Sequence, residues 1–199
     1  MTAGRLRSLA VAGLVLAIIA ACGAIWWFNF GQRWSPKTQL LTDFRVFCVE
    51  TEAQPGAVSV AIAGASGIED LPTYDWPHRF GPMTAWMHTA ADHEITVAIS
   101  TVPPGRGEAR GENLCQVQDV ADNGASLTGL RDWLGNSPPT ASWHRKIAWD
   151  KYLVTLENGH PHVFARADTK GQDLARKAGK LFTLNVSYSA KSTSLQLIK

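Results

Sequence analysis

The side chains that could do chemistry are few and widely spaced along the chain. His160 and His162 stand two apart on a predicted strand, hence on one face, with Glu157 across a predicted turn. An N/N/O set of that kind can hold Zn²⁺ and activate a water, so a metal-assisted hydrolase is the one enzyme chemistry the sequence offers. Against it, residues beside a hairpin turn are usually solvated, and a His opposite a Glu is an ordinary surface pair. The three are weak metal candidates, and no metal or other cofactor is expected. His88, Asp92 and His93 form a second set, but spacings of four and five share no strand face. Gly64-Ala65-Ser66-Gly67 lacks a residue of the hydrolase nucleophile turn and reads as a plain turn. The glycine-rich loop from Gly105 to Gly111 has no Lys-Ser/Thr pair and follows Pro103-Pro104, so it is no phosphate cradle. No catalytic residue is assigned.

The cysteines carry more. Of the three, Cys22 lies in an apolar N-terminal run, which leaves Cys48 and Cys115. Each falls on the inward face of its predicted element, and the N-terminal run places both in an oxidising space, so a Cys48–Cys115 disulfide is expected. In the chain-entropy account, closing a loop of roughly 67 residues stabilises the fold by about 4 kcal/mol. One stretch has the composition of a recognition surface: Pro72 to Met87 interleaves prolines with Tyr74, Trp76, Phe80 and Trp86, side chains enriched at interface cores. It is the expected partner-binding loop.

Charge narrows the partners. Of 19 basic residues, Arg5 and Arg7 precede residue 30, so the rest of the chain balances 17 basic against 17 acidic side chains. A neutral domain exerts no long-range pull on phosphate, and nucleic acid is not an expected partner. Between Arg7 and Arg33 there is no charge. Leu9 to Phe30 as a helix, at about 1.5 Å per residue, covers the roughly 30 Å hydrocarbon core of a bilayer. Trp26 and Trp27 suit the far interface as membrane-anchoring rings. A second reading takes Ile19-Ala20-Ala21-Cys22 as similar to a bacterial lipobox, with Cys22 lipidated. The residues after that cysteine, Gly-Ala-Ile-Trp-Trp-Phe, are apolar where a lipoprotein turns polar. The expected organisation is residues 1–8 cytoplasmic, 9–30 a transmembrane anchor or lipoprotein signal, 31–35 a linker, and 36–199 one periplasmic domain. The expected location is the inner membrane, single-pass, with a lipid-anchored envelope protein as the alternative.

The elements that must position these side chains are read from periodicity. Ser35 as a cap, Pro36 at the first position and Leu40, Leu41, Phe44, Phe47 and Cys48 on one stripe predict a helix over Pro36 to Thr51. Pro55 restarts a short apolar helix that stops at Gly64, although its β-branched residues leave a strand open. Gly64 to Met87 reads as irregular chain. Alternation predicts strands over His93 to Thr101, Leu114 to Val120 and Leu181 to Tyr188, and Thr193 to Ile198 can return beside the last of these after Ser189 to Ser192. Leu127, Leu130, Trp133 and Leu134 make a helical stripe ended by Gly135. Asn158-Gly159 is a type I′ hairpin turn pairing Glu157 with His160 and Thr155 with His162. The sum is an α+β domain of about six mostly antiparallel strands with two or three helices on one face.

The run Phe44-x-x-Phe47-Cys48-Val49-x-Thr51, the Pro restart, Cys115-x-Val117 and the helix end Trp133-Leu134-Gly135 resemble a set of small envelope proteins of alphaproteobacteria without assigned activity. The likeness extends loosely from residue 40 to 165 and implies a compartment, not a chemistry. Together these readings predict a membrane-tethered periplasmic module for binding or scaffolding, whose partners are the membrane and another envelope protein.

Overall fold

The computed structural model describes residues 38–72, 83–90, 93–102, 112–122 and 124–199. Thr38 opens the first helix: its backbone is extended and its side chain accepts from Leu41 N, satisfying one of the free N–H groups of the first turn. The expected cap, Ser35 with Pro36, lies outside the described residues. Helix α1 covers Gln39–Asp43 and continues without a break as a π-helical segment over Phe44–Val49. The wider turn is visible in its bonds, Glu50 N to Arg45 O and Ala53 N to Cys48 O, both 2.9 Å and both spanning five residues. Glu52 and Ala53 then take left-handed backbone angles and reverse the chain. Pro55 at the first position of α2 (Pro55–Ala63) supplies a fixed φ and a missing donor where neither costs anything. Helix, not strand, wins there, and only Val58 and Ile62 are buried.

Among the described residues nine strands are present, not about six, and every pairing is antiparallel. They are β1 (Ile68–Asp70), β2 (Met83–Ala90), β3 (His93–Val102), β4 (Glu112–Asp119), β5 (Ala141–His144), β6 (Ala148–Glu157), β7 (His160–Val163), β8 (Phe182–Tyr188) and β9 (Thr193–Ile198). Helix α3 (Ser126–Trp133) joins β4 to β5, and α4 (Thr169–Lys177) joins β7 to β8. The sheet order is β1-β2-β3-β4-β9-β8-β6-β5, with β7 beside β5 along the free edge of β6.

Two expectations need correction. Gly64 to Met87 is not irregular throughout, since it contains β1 and the start of β2. Prolines and aromatics hid those strands: β2 reads Met-Thr-Ala-Trp-Met-His-Thr-Ala, with residues of both its faces buried, so no alternation shows. Helix α4 was not foreseen. Its sequence, Thr-Lys-Gly-Gln-Asp-Leu-Ala-Arg-Lys, buries Gln172 alone, which leaves no apolar stripe to read. It is held by its Asp168 cap on Gly171 N and by Gln172 donating to Ala165 O.

The core lies between the sheet and the α1, α2 and α3 layer. Leu40, Leu41, Phe44 and Cys48 are at most 1% exposed, as are Ile95, Val97, Cys115, Val117, Leu195 and Leu197 on the strands. Phe44 meets Trp133 edge to face at 6.2 Å between ring centroids, joining α1 to α3. Where those helices cross, a side-chain carbon on Gly129 would stand 2.8 Å from Leu41 Cδ1, so any larger residue there would push the Leu41 side chain aside. Cys48 in the π-helical segment is bonded to Cys115 in β4, with 5.5 Å between their Cα atoms. The opposite face of the sheet is amide-rich: Gln196 Nε2 donates to Gln116 Oε1 at 2.9 Å, and Asn185 Nδ2 to Gln196 Oε1 at 3.5 Å.

Candidate functional site

The groups that converge on open space lie at the β5 end of the sheet. Helix α3 sets one wall. Leu130 and Trp133 bury its apolar stripe, which turns Arg131 outward. Gly135 and Asn136, both left-handed, end the helix, with Asn136 N bonded to Arg131 O at 2.8 Å. Pro138 and Pro139 then carry the chain into β5. The floor comes from alternation on β6, where Asp150, Tyr152 and Val154 point to the buried face. Register places Ser142 opposite Asp150 and Tyr188 of β8 opposite Ala148.

The result is a cleft of about 380 Å³ lined by Arg131, Asn136, Ser142, His144, Asp150, Tyr152 and Tyr188, with Ser137, Pro138 and Pro139 at its rim. Ser142 Oγ donates to Asp150 Oδ1 at 2.6 Å, and His144 Nε2 stands 3.9 Å from the same oxygen. Burial raises the Tyr152 phenol above its ordinary pKa, and the Asp150 carboxylate adds to that shift. Tyr152 therefore stays protonated and offers a donor. Arg131 is exposed and makes no ion pair among the described residues.

A serine, a histidine and an aspartate share this cleft, but in an order that does not activate the serine. Nucleophilic catalysis needs the histidine between hydroxyl and carboxylate, so that it takes the serine proton. Here Ser142 is bonded directly to Asp150, and His144, 60% exposed, stands outside hydrogen-bonding distance. One cation, one carboxylate, an amide and two phenols can instead hold a small polar ligand.

The residues singled out from sequence do not meet in this cleft. Glu157 pairs with His160 and Thr155 with His162, as the turn predicts, with Asn158 and Gly159 both at positive φ. Both imidazoles are exposed, and His162 packs edge-on against Phe164 at 4.9 Å. Among the described residues no three His, Cys, Asp or Glu side chains come close enough to hold a metal. His88 and His93 go separate ways: His88 Nδ1 bonds Asp43 Oδ2 at 2.6 Å, and His93 Nδ1 bonds Asp119 Oδ2 at 2.7 Å. Asp92 lies outside the described residues. Trp86, expected in a binding loop, is 8% exposed on β2 and belongs to the core. Tyr74, Trp76, Phe80, Cys22, Trp26 and Trp27 lie outside the described residues, as does the loop from Gly105 to Gly111. Among the described residues, no helix is long and apolar enough to cross a membrane.

The cleft itself escaped sequence reading because its groups come from α3, β5, β6 and β8 and share no spacing. One signal was present. Between Asp132 and Asp150 there is no acidic residue, while Trp143, His144, Arg145, Lys146, Ile147 and Trp149 crowd one hairpin. Comparison with protein-family models, with curated proteins and with solved structures returns no match.

Proposed function

We propose that the chain is a membrane-tethered periplasmic protein whose domain binds a ligand or scaffolds an envelope partner and does no covalent chemistry. The observation that carries the non-catalytic reading is the cleft, where Ser142 is committed to Asp150 and His144 stands aside. The periplasmic assignment is supported by the buried Cys48–Cys115 bond, since such bonds persist in oxidising compartments. The tether rests on the uncharged run from Leu9 to Phe30, either retained as a single span of the inner membrane or replaced by a lipid on Cys22. The resemblance to alphaproteobacterial envelope proteins agrees with that placement.

The test is fractionation with protease challenge. The full chain should stay with membranes at alkaline pH and become digestible once the outer membrane is opened, with the inner membrane intact. Recovery in the soluble fraction, or protection until the inner membrane is broken, would overturn the reading. Metabolic labelling with a lipid precursor separates the two tethers: label lost on Cys22→Ala means a lipoprotein, and no label means a retained span.

A further inference from the structure

We infer that the β5–β6 hairpin is a membrane-contact surface that docks on anionic phospholipid. The hairpin presents two faces. Ser142, Asp150 and His144 look into the cleft, whereas Trp143 and its register partner Trp149 lie on the other side. At its tip the chain runs Trp143-His144-Arg145-Lys146-Ile147. Every residue of β5 is exposed, and Trp143 and Ile147 are 54% and 60% exposed, large apolar side chains held in water on either side of a basic pair.

Arg145 lies over the Trp143 ring with its guanidinium carbon 4.7 Å from the centroid. That contact shields one face of the indole while leaving the charge outward, so aromatic and cation are offered together. No acidic side chain from Trp133 to Trp149 neutralises the pair. The chain beyond residue 30 carries equal numbers of basic and acidic side chains, so this positive, apolar tip is a local segregation of charge and not a by-product of a basic protein.

An anionic lipid surface meets each of these features. Headgroup phosphates complement Arg145 and Lys146, and the interfacial layer takes up an indole and an aliphatic side chain that hydrogen-bonding solvent does not favour. An acidic protein would match the charges but would leave Ile147 without a counterpart. This contact rests on the domain's own surface and stands whether the N-terminal run spans the bilayer or is replaced by a lipid.

The experiment uses the full chain with Cys22→Ser, so that Cys48 and Cys115 stay bonded and Ile147→Cys is the only free thiol. An environment-sensitive fluorophore on position 147 is read with vesicles of phosphatidylcholine alone and of phosphatidylcholine with phosphatidylglycerol. The expected result is a blue-shifted emission, quenched by lipid-borne quenchers, in the anionic vesicles only and reversed by high salt. Each basic residue at such a surface is worth about fivefold in partitioning, so Arg145→Glu with Lys146→Glu should reduce the shifted fraction by more than about tenfold. A label at Lys170→Cys on α4 should not move. Equal emission in both vesicle types, or a shift that survives the charge reversal, overturns the inference. With Cys22 replaced, retention of the chain in vesicles at alkaline pH reports a membrane span separately, and the emission reads the hairpin whether or not the chain is retained.

Discussion

The two ends of the sheet are built on opposite terms. Around β2, β3 and β4 the core is closed: Cys48, Cys115, Phe44, Ile95 and Val97 are fully buried, the Asp43–His88 pair lies largely out of solvent, and His93 reaches from the surface to the buried Asp119. At β5 every residue is exposed, and the carboxylate, phenols and guanidinium face a cleft. The difference teaches that burial and exposure have been separated along one sheet. A disulfide, a π-helical turn and the Asp43–His88 pair fix one end, whereas at the other β5 is wholly exposed and the buried Asp150 and Tyr152 still line an open cleft.

That contrast can be broken most forcefully at the bridge. Replacing both Cys48 and Cys115 by Ala should lower the unfolding free energy by about 4 kcal/mol, read from urea denaturation without reductant. Phe44→Ala comes next, at about 3–5 kcal/mol, because it empties a site that is 0% exposed and removes the edge-to-face contact with Trp133. If either costs no more than a change in the cleft, the division of labour is wrong.

Asp43 sharpens the comparison through pH. Burial holds its carboxyl above 3.8, with His88 and Gln39 opposing that shift through hydrogen bonds. The folded state therefore holds this proton more readily than the unfolded chain. Asp43's contribution favours the fold in acid and is lost as pH rises from about 3.8 through the raised folded value. The unfolding free energy of the wild type minus that of Asp43→Asn should fall across that window in matched denaturation series. A difference that climbs with pH would refute the assignment.

The smallest effect belongs to the cleft. Asp150→Asn keeps an acceptor for Ser142 and should shift stability by no more than about 1 kcal/mol by thermal unfolding. A loss comparable to that of Phe44→Ala would mean that Asp150 is a structural residue and the cleft incidental.

The fold was legible where period and burial agree. The strands β3, β4, β8 and β9 alternate strongly enough to be read directly, and Asn158-Gly159 fixed a hairpin and its register. The Cys48–Cys115 contact followed from two inward-facing positions. Strand β2 was invisible because Met83, Ala85, Trp86 and His88 are at least partly buried from both faces of the sheet. Strand β5 was invisible for the contrary reason: none of its residues is buried, so no pattern marks its faces. The cleft was beyond reach because sheet order alone joins Asp150 to Tyr188, and only the packing of α3 brings Arg131 to them.

That order also constrains how the domain is assembled. Strand β9, last of the nine in sequence, lies between β4 and β8 and, among the described residues, is the only strand that pairs with both halves of the sheet. Until it arrives, β1 to β4 and β5 to β8 have no ladder between them among those residues. The disulfide closes within the earlier half, so it can lock that half while the later one is still unpaired. Joining the halves is a late, long-range event, the kind that slows folding most. A chain released in sequence order would thus present first its clasp, then its exposed edge, and last the strand that makes them one molecule.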